Sequence, residues 1–345
     1  MIVSHSCDWL GSGQVLALMK RLRAALIGDA FVDVQVAGVG VLPSWGADVA
    51  CSSVRLLPGG SCGNTARQLG MLGQQNLEAC FFSCVGDDEA GRHYRHTLEE
   101  EGSLSMPSRT LRVLEGTPQS CCVILSGATD RAMCSCYETV HRVATEMFSE
   151  MLLAEPWALL HLGGYFNCIG LHDDALLEVL QSLRAHGTTI SLDPQHDCSN
   201  KWSGEGGHLT RLLPLVDVFL PNETEVCHIA GGTATVEEAL KCLCAAYPQL
   251  LLVVKIGEKG LRAARGEERW AMPAVPVASF VDSTGAGDAS SAGFLVQYLR
   301  DPSNVQLALQ WGAAAGALCV SKPGACEQPI SADEIAVVLE RGAVS

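Results

Sequence analysis

Positive charge is scarce in this chain. Its 345 residues carry 23 Lys and Arg against 38 Asp and Glu, a formal net charge of -15, which argues against a nucleic acid or an acidic membrane as partner. No uninterrupted apolar stretch reaches the roughly 18 to 20 residues of a membrane span, so a soluble chain is expected. No strand at the start of the chain is followed by G-x-G-x-x-G, which argues against a nicotinamide dehydrogenase. Nor is there a G-x-x-x-x-G-K-[ST], so the chain is not a P-loop kinase. Cysteine is plentiful, at 16 residues, yet no two are spaced C-x-x-C. The thiols sit in apolar segments such as Cys121 to Leu125 and Ala317 to Val320. That placement reads as buried, reduced cysteine in a cytoplasmic setting, not as zinc ligands or disulfides. His93 and His96 share no Cys or carboxylate cluster, so no metal centre is expected there.

Residues 1–23 form an N-terminal extension that resists assignment. Val15 to Met19 is apolar and Lys20, Arg21 and Arg23 follow it, the reverse of the charge order in a secretory signal. A short leading helix, a frayed tail and a weak organellar transit peptide all stay open.

The densest chemistry lies at Asp282 to Asp288, DSTGAGD, followed by the small apolar run Ala289 to Leu299. Gly285 and Gly287 remove side chains where a helix is about to begin, so its first free N–H groups can close around an anion with the helix dipole behind them. Asp288 projects a carboxylate into the first turn, within reach of a hydroxyl attacking a phosphorus held at that helix end. A mere turn ahead of a buried helix would need neither the acid at each end nor Thr284 between them.

Asp282 to Asp288 resembles the second signature of the PfkB family of ribokinase-like carbohydrate kinases. The resemblance implies an α/β fold: a three-layer α/β/α domain over residues 24–340, with a mainly parallel central sheet and a small β lid inserted at about 35–57 and 108–139. It implies Asp288 as the catalytic base, Gly285, Ala286 and Gly287 as the anion hole, and a monovalent cation, K+, near Asp282 and Thr284.

Other stretches can be held against that implication. Ala24 to Val36 reads AALIGDAFVDVQV, a β-rich run in which Asp33 needs partners, because an unpaired buried charge is expensive. Two substrate hydroxyls would serve; a surface-edge Asp would need none. In Pro58 to Ala66, Gly59 and Gly60 let a ligand approach the backbone, and Asn64 can donate and accept hydrogen bonds to a polyol. This segment opens a helix to about Leu72 and is similar to the family's first signature. Val85 to Gly91, VGDDEAG, reads as turn chemistry at a helix start. Residues 37–57 and the strand-like Thr110 to Val113, Ser120 to Ser126 and Ala132 to Tyr137 read as two excursions forming one small sheet. By resemblance that sheet is a lid over the sugar and a homodimer surface.

From 140 to 320, β-rich runs alternate with helical patterns: Leu159 to Leu162 then Leu171 to His186, Thr189 to Leu192 then Gly207 to Leu215, Val216 to Leu220 then Thr235 to Ala246, and Leu250 to Ile256. The rhythm predicts parallel strands with crossover helices and ligands at the strands' carboxyl ends. Just past those strands stand Asp193, then Asn222 and Glu225, then Lys255, Gly257 and Gly260. N-x-x-E is a common capping box; by resemblance the same pair organises Mg2+ through water, in keeping with that ion's retained hydration. Lys255, either a phosphate contact or a solvated cation, shares with Gly257 and Gly260 a segment resembling the family's nucleotide-side loop. Gly324 lies at the edge of the region that closes over adenine in the family.

The resemblance thus implies transfer of phosphate from ATP, with Mg2+, to a sugar hydroxyl. Gly28-x-Ala30-x-x-Asp33 is closer to fructokinases and 2-keto-3-deoxygluconate kinases than to ribokinases, so a hexose or keto-sugar ranks ahead of ribose. Phe31 could stack on a base, which keeps a nucleoside kinase of the adenosine or pseudouridine type as an alternative. A catalytically silent scaffold is a third reading, against which Asp288, Asn222 and Glu225 speak.

Overall fold

The computed structural model describes residues 21–127, 131–322 and 326–342. Most of the N-terminal extension, and Gly324, lie outside the described residues. Leu22 and Arg23 already belong to the first strand, so the folded domain begins ahead of the expected boundary at 24.

In chain order the strands are β1 (Leu22–Gly28), β2 (Phe31–Ala37), β3 (Ser53–Gly59), β4 (Leu77–Gly86), β5 (Leu111–Leu114), β6 (Cys121–Ser126), β7 (Arg131–Cys136), β8 (Leu159–Gly163), β9 (Thr189–Leu192), β10 (Val218–Phe219), β11 (Leu251–Lys255), β12 (Leu261–Arg265) and β13 (Glu268–Met272). The main helices are α1 (Ser61–Gly73), α2 (Glu89–Glu101), α3 (Asp174–Ala185), α4 (Glu223–Ile229), α5 (Val236–Ala246), α6 (Ala286–Arg300), α7 (Val305–Val320) and α8 (Ala332–Gly342). Among the described residues no helix is long and apolar enough to cross a membrane.

Alternation along the strands sets the layers. β1 sends Ala24 and Leu26 to one side of a nine-stranded sheet and Ala25 and Ile27 to the other, all fully buried. A strand apolar on both faces belongs in the middle of a helix-covered parallel sheet. On the Ala25 side pack Leu176 and Leu180 of α3 and Leu240 and Leu243 of α5. On the Leu26 side pack Ala66 and Leu69 of α1, Leu98 of α2, Phe294 of α6 and Leu309 of α7. The strand order is β13-β12-β11-β10-β9-β8-β1-β4-β5, with every neighbouring pair parallel except β11–β12 and β12–β13, so that β12 alone runs against the rest. The four strands β3-β2-β6-β7 make the separate small sheet.

Two expectations shift here. The run Ala24 to Val36 is not one strand: it breaks at Asp29 and Ala30, with β1 ending in the large sheet and β2 starting the small one. Asp33 therefore stands on a lid strand, and the lid strands reach from Phe31 and to Gly59, beyond 35–57. Thr110 to Val113, expected in the lid, contributes to β5 at the edge of the large sheet, parallel to β4. Its Leu111 is buried in the same core as α1 and α2. Propensity marks such a segment as a strand but cannot say which sheet buries it.

Candidate active site

The carboxyl end of β1, the start of α1 and the start of α6 meet at one cavity of about 1250 Å³. Gly60 makes the meeting possible. Its φ is 88°, and a Cβ there would lie 2.5 Å from the carbonyl oxygen of Asp29, a contact no side chain tolerates. A Cβ on Gly59 would strike the Asp33 carboxylate at 2.3 Å, so that carboxylate lies directly over the glycine pair. Ser61 and Asn64 of α1 then face Asp288 in the first turn of α6. Ser61 Oγ donates to Asp288 Oδ1 at 2.8 Å and Asn64 Nδ2 donates to Oδ2 at 3.0 Å.

Burial raises the Asp288 carboxyl to about 7 and the nearby Asp193 adds to the shift, while Asn64, Lys255 and Ser61 oppose it. A base that titrates near neutrality is suited to accepting a proton at working pH. Asp33 is also raised to about 7, first by burial and then by Asp288 and Asp29. It is 7% exposed, lines the cavity, and accepts no hydrogen bond among the described residues. Asn64, 4% exposed, keeps its Oδ1 buried and without a donor. Two acceptors that lack donors thus face a cavity where a polyol's hydroxyls could supply them.

At the other end, Gly285 takes φ 74° and lets the chain turn into α6. The Ala286 amide donates to Ser283 O at 3.2 Å in this state. Beneath the loop, Lys255 is not solvated. Its side chain is 12% exposed and its Nζ lies 2.5 Å from Oδ2 of the fully buried Asp193 and 3.3 Å from Ser291 Oγ. A Cβ on Gly287 would be 3.8 Å from that Nζ, so the ammonium sits just under the proposed anion hole. Asp193 Oδ1 is buried without a partner.

Asn222 and Glu225 form a complete capping box on α4: Asn222 Oδ1 accepts from the Glu225 amide at 2.9 Å, and Glu225 Oε2 accepts from the Asn222 amide at 2.8 Å. Both residues also line the cavity. Burial, then Asp193, raises Glu225 to about 7, with Lys255 opposing. Among the described residues no three His, Cys, Asp or Glu side chains converge as direct metal ligands. Gly257 and Gly260, at φ 59° and 94°, border the same cavity. Asp282 accepts from the Thr284 amide at 2.9 Å and from Gln35 Nε2 of the lid at 3.0 Å. Arg131 of β7 donates to Ser283 Oγ at 2.9 Å and to Thr284 Oγ1 at 3.2 Å.

Sequence reasoning placed Asp193 after a strand without giving it a task, and gave Gln35, Arg131 and Gln195 none. The position of Asp193 after a strand was a usable signal. The other pairings span 134 to 247 residues, as Gln195 to Ser61, Arg131 to Ser283 and Gln35 to Asp282 do, and no local pattern encodes them.

This architecture, with the glycine pair, the Asp288 turn and the four-stranded lid over one cavity, is that of a ribokinase-like kinase. In the ATP- and Mg2+-bound structure of a ribokinase II from E. coli it superposes with a TM-score of 0.79 over 93% of this chain and 99% of that one, at 23% identity. The chain belongs to the pfkB family of carbohydrate kinases, whose family model matches residues 22–332. Among curated relatives, a ribokinase from Arabidopsis thaliana is 26% identical over 323 residues, 87% of this chain and 76% of the relative. A fructokinase from Klebsiella pneumoniae is 29% identical over 277 residues, 78% of this chain and 82% of the relative.

Proposed function

We propose that the chain transfers the γ-phosphoryl group of ATP to a sugar hydroxyl, with a hexose or keto-sugar ahead of ribose as acceptor. The observation that carries this reading is the shared cavity: the Asp288 carboxylate at the start of α6 faces the same space as the donor-less Asp33 carboxylate. Asp33, Asn64 and the backbone at Gly59 and Gly60 hold the acceptor by its hydroxyls. Asp288 takes the proton of the attacking hydroxyl as its oxygen bonds to the γ-phosphorus. The bond to the bridging oxygen breaks and ADP leaves with that electron pair. Amides of Ala286, Gly287 and Asp288, led by Gly285, receive the phosphoryl oxygens, the Ala286 amide giving up its turn bond to do so. The Lys255 ammonium beneath them adds positive charge at close range.

The donor set fits Mg2+ through water only. Glu225 already accepts from the Asn222 amide and side chain, and no direct ligand cluster exists among the described residues. Asn222 and Glu225 would hold the ion's water shell at the nucleotide side, where Gly257 and Gly260 would border the triphosphate. Bound with ATP, Mg2+ neutralises phosphate charge. K+ near Asp282 and Thr284 belongs to the same reading, and exchanging it for a bulky organic cation in the assay tests it. So does a homodimer through the lid, read out by sedimentation. The described cysteines are free thiols, which supports a reducing, cytoplasmic setting.

One observation favours a second acceptor class. Phe31 meets Tyr137 edge to face at 5.5 Å, and Tyr137 stacks on His141 at 5.1 Å. Phe31 and Tyr137, with Cys122, Ile124 and Met133, give the lid side of the cavity an apolar wall, which suits the base of a nucleoside. The test is ADP release from Mg-ATP by wild type and Asp288→Asn against fructose, ribose, 2-keto-3-deoxygluconate, adenosine and pseudouridine. Acceptor-dependent turnover that disappears in the variant is the expected result. ATP binding with no acceptor turned over would leave the scaffold reading standing.

A further inference from the structure

Ser61 and Gln195 have no task in the transfer just described, yet Ser61 bonds its base and Gln195 bonds Ser61. Ser61, 8% exposed at the start of α1, donates to Asp288 Oδ1 at 2.8 Å and accepts from Gln195 Nε2 at 2.7 Å. A hydroxyl has one proton and two lone pairs. With the Gln195 amide occupying a lone pair, that proton is directed at the carboxylate. Gln195 is held in an unfavourable way: it follows Asp193 and Pro194 with φ 59°, a left-handed conformation that side chains other than glycine rarely adopt. The segment before it is pinned by two backbone bonds, from Tyr165 N to Asp193 O and from Phe166 N to Pro194 O. Such strain persists only where the surroundings over-determine it.

Resting on the kinase reading above, we propose that Gln195 and Ser61 form a positioning relay for the general base: Gln195 orients the Ser61 hydroxyl, and Ser61 fixes the Asp288 carboxylate toward the acceptor. The other oxygen of that carboxylate is held by Asn64 at 3.0 Å. The carboxylate therefore cannot rotate without losing a bond to α1.

The surroundings make the relay's effect on proton affinity readable. Facing Asp288 are Asp33 from β2, Cys62 from α1, Asp193 after β9, Glu225 from α4, Lys255 from β11 and Cys326 near the C-terminal end. The acidic groups and burial favour the protonated form of Asp288, whereas Ser61, Asn64 and Lys255 favour the ionised one. Removing a donor to the ionised form raises the carboxyl.

The test follows the Asp288 side chain by 13C NMR of the aspartate carboxyl carbons, its signal assigned by loss in Asp288→Asn. Wild type is compared with Ser61→Ala, Ser61→Thr and Gln195→Ala. Ser61→Ala and Gln195→Ala are expected to move the Asp288 midpoint up by about one pH unit. The acid limb of kcat/KM should move with it, and kcat at neutral pH should fall about tenfold while the acceptor KM holds. Ser61→Thr, which keeps the hydroxyl, should restore both. An unchanged midpoint in both alanine variants overturns the relay. So does a loss confined to the acceptor KM, which would make Ser61 a plain substrate contact. Should wild type turn over no acceptor, the kinase reading fails by itself, because the carboxyl titration decides the relay without turnover.

Discussion

The two ends of the cavity are finished to different degrees. At the phosphate end the chain satisfies most of its own polar groups: Lys255 pairs with Asp193, Asn222 with Glu225, and Asp282 with Thr284 and Gln35. At the acceptor end the Asp33 carboxylate takes no hydrogen bond among the described residues, and Asn64 Oδ1 is an orphan. The difference fits the two tasks proposed for them. A site that stabilises charge must be organised before the reaction, so that no reorganisation is needed during it. A site that selects a polyol keeps unmet acceptors, because a ligand lacking the matching hydroxyls then leaves them unpaired. Asp288, the proposed base, lies between the two ends and is tied to the α1 side through Ser61 and Asn64.

The largest blow to this picture falls on the base. Asp288→Asn should lower kcat by about 10² to 10⁴ with acceptor binding little changed, as rapid-quench and equilibrium titration would show. Breaking the finished end comes next. Lys255→Met strands a fully buried Asp193, and urea unfolding should register a loss of about 3–5 kcal/mol; a loss near zero would mean that the pair is not the built-in part of the phosphate end. The unfinished end should respond in the opposite way. Asp33→Ala is expected to raise the acceptor KM by about tenfold to a hundredfold, with ATP affinity intact and the ligand-free protein no less stable, since no internal hydrogen bond is lost.

pH separates the two ends more gently. Asp33, Asp288 and Glu225 are all raised to about 7, so between about pH 4 and 7 the folded state holds protons that the unfolded chain has released. Stability without ligand should therefore fall as pH rises through that window, by something on the order of 1–3 kcal/mol, and the slope should flatten in Asp33→Asn. Smallest of all, Asn222→Ala removes a cap and should cost about 1 kcal/mol in the same unfolding assay.

How much of this was legible depended on distance along the chain. The glycine pair, Asn64, and the turn from Asp282 to Asp288 were readable because their geometry is local: a positive φ or a helix start leaves a residue signature. The alternation of strands and helices after residue 140 was readable for the same reason. Lys255 was not, because whether a lysine after a strand meets solvent or a buried acid depends on what β9 places beside it. The break at Asp29 and Ala30 had a local mark in Gly28, Asp29 and Ala30, which strands disfavour, but nothing local says that the strands on either side of it enter two different sheets.

By itself the sequence determined the strand–helix rhythm of an α/β fold, the glycine-led turn from Asp282 to Asp288 ahead of a helix, and the glycine pair that opens α1. Each follows from periodicity or from residues within a few positions of one another. Only the tertiary structure decided that β5 joins the large sheet, that Lys255 lies under the loop paired to Asp193, and that Gln195 reaches Ser61 and through it Asp288. Those outcomes rest on strand order and on contacts between distant segments, which burial and close packing select and local propensity cannot.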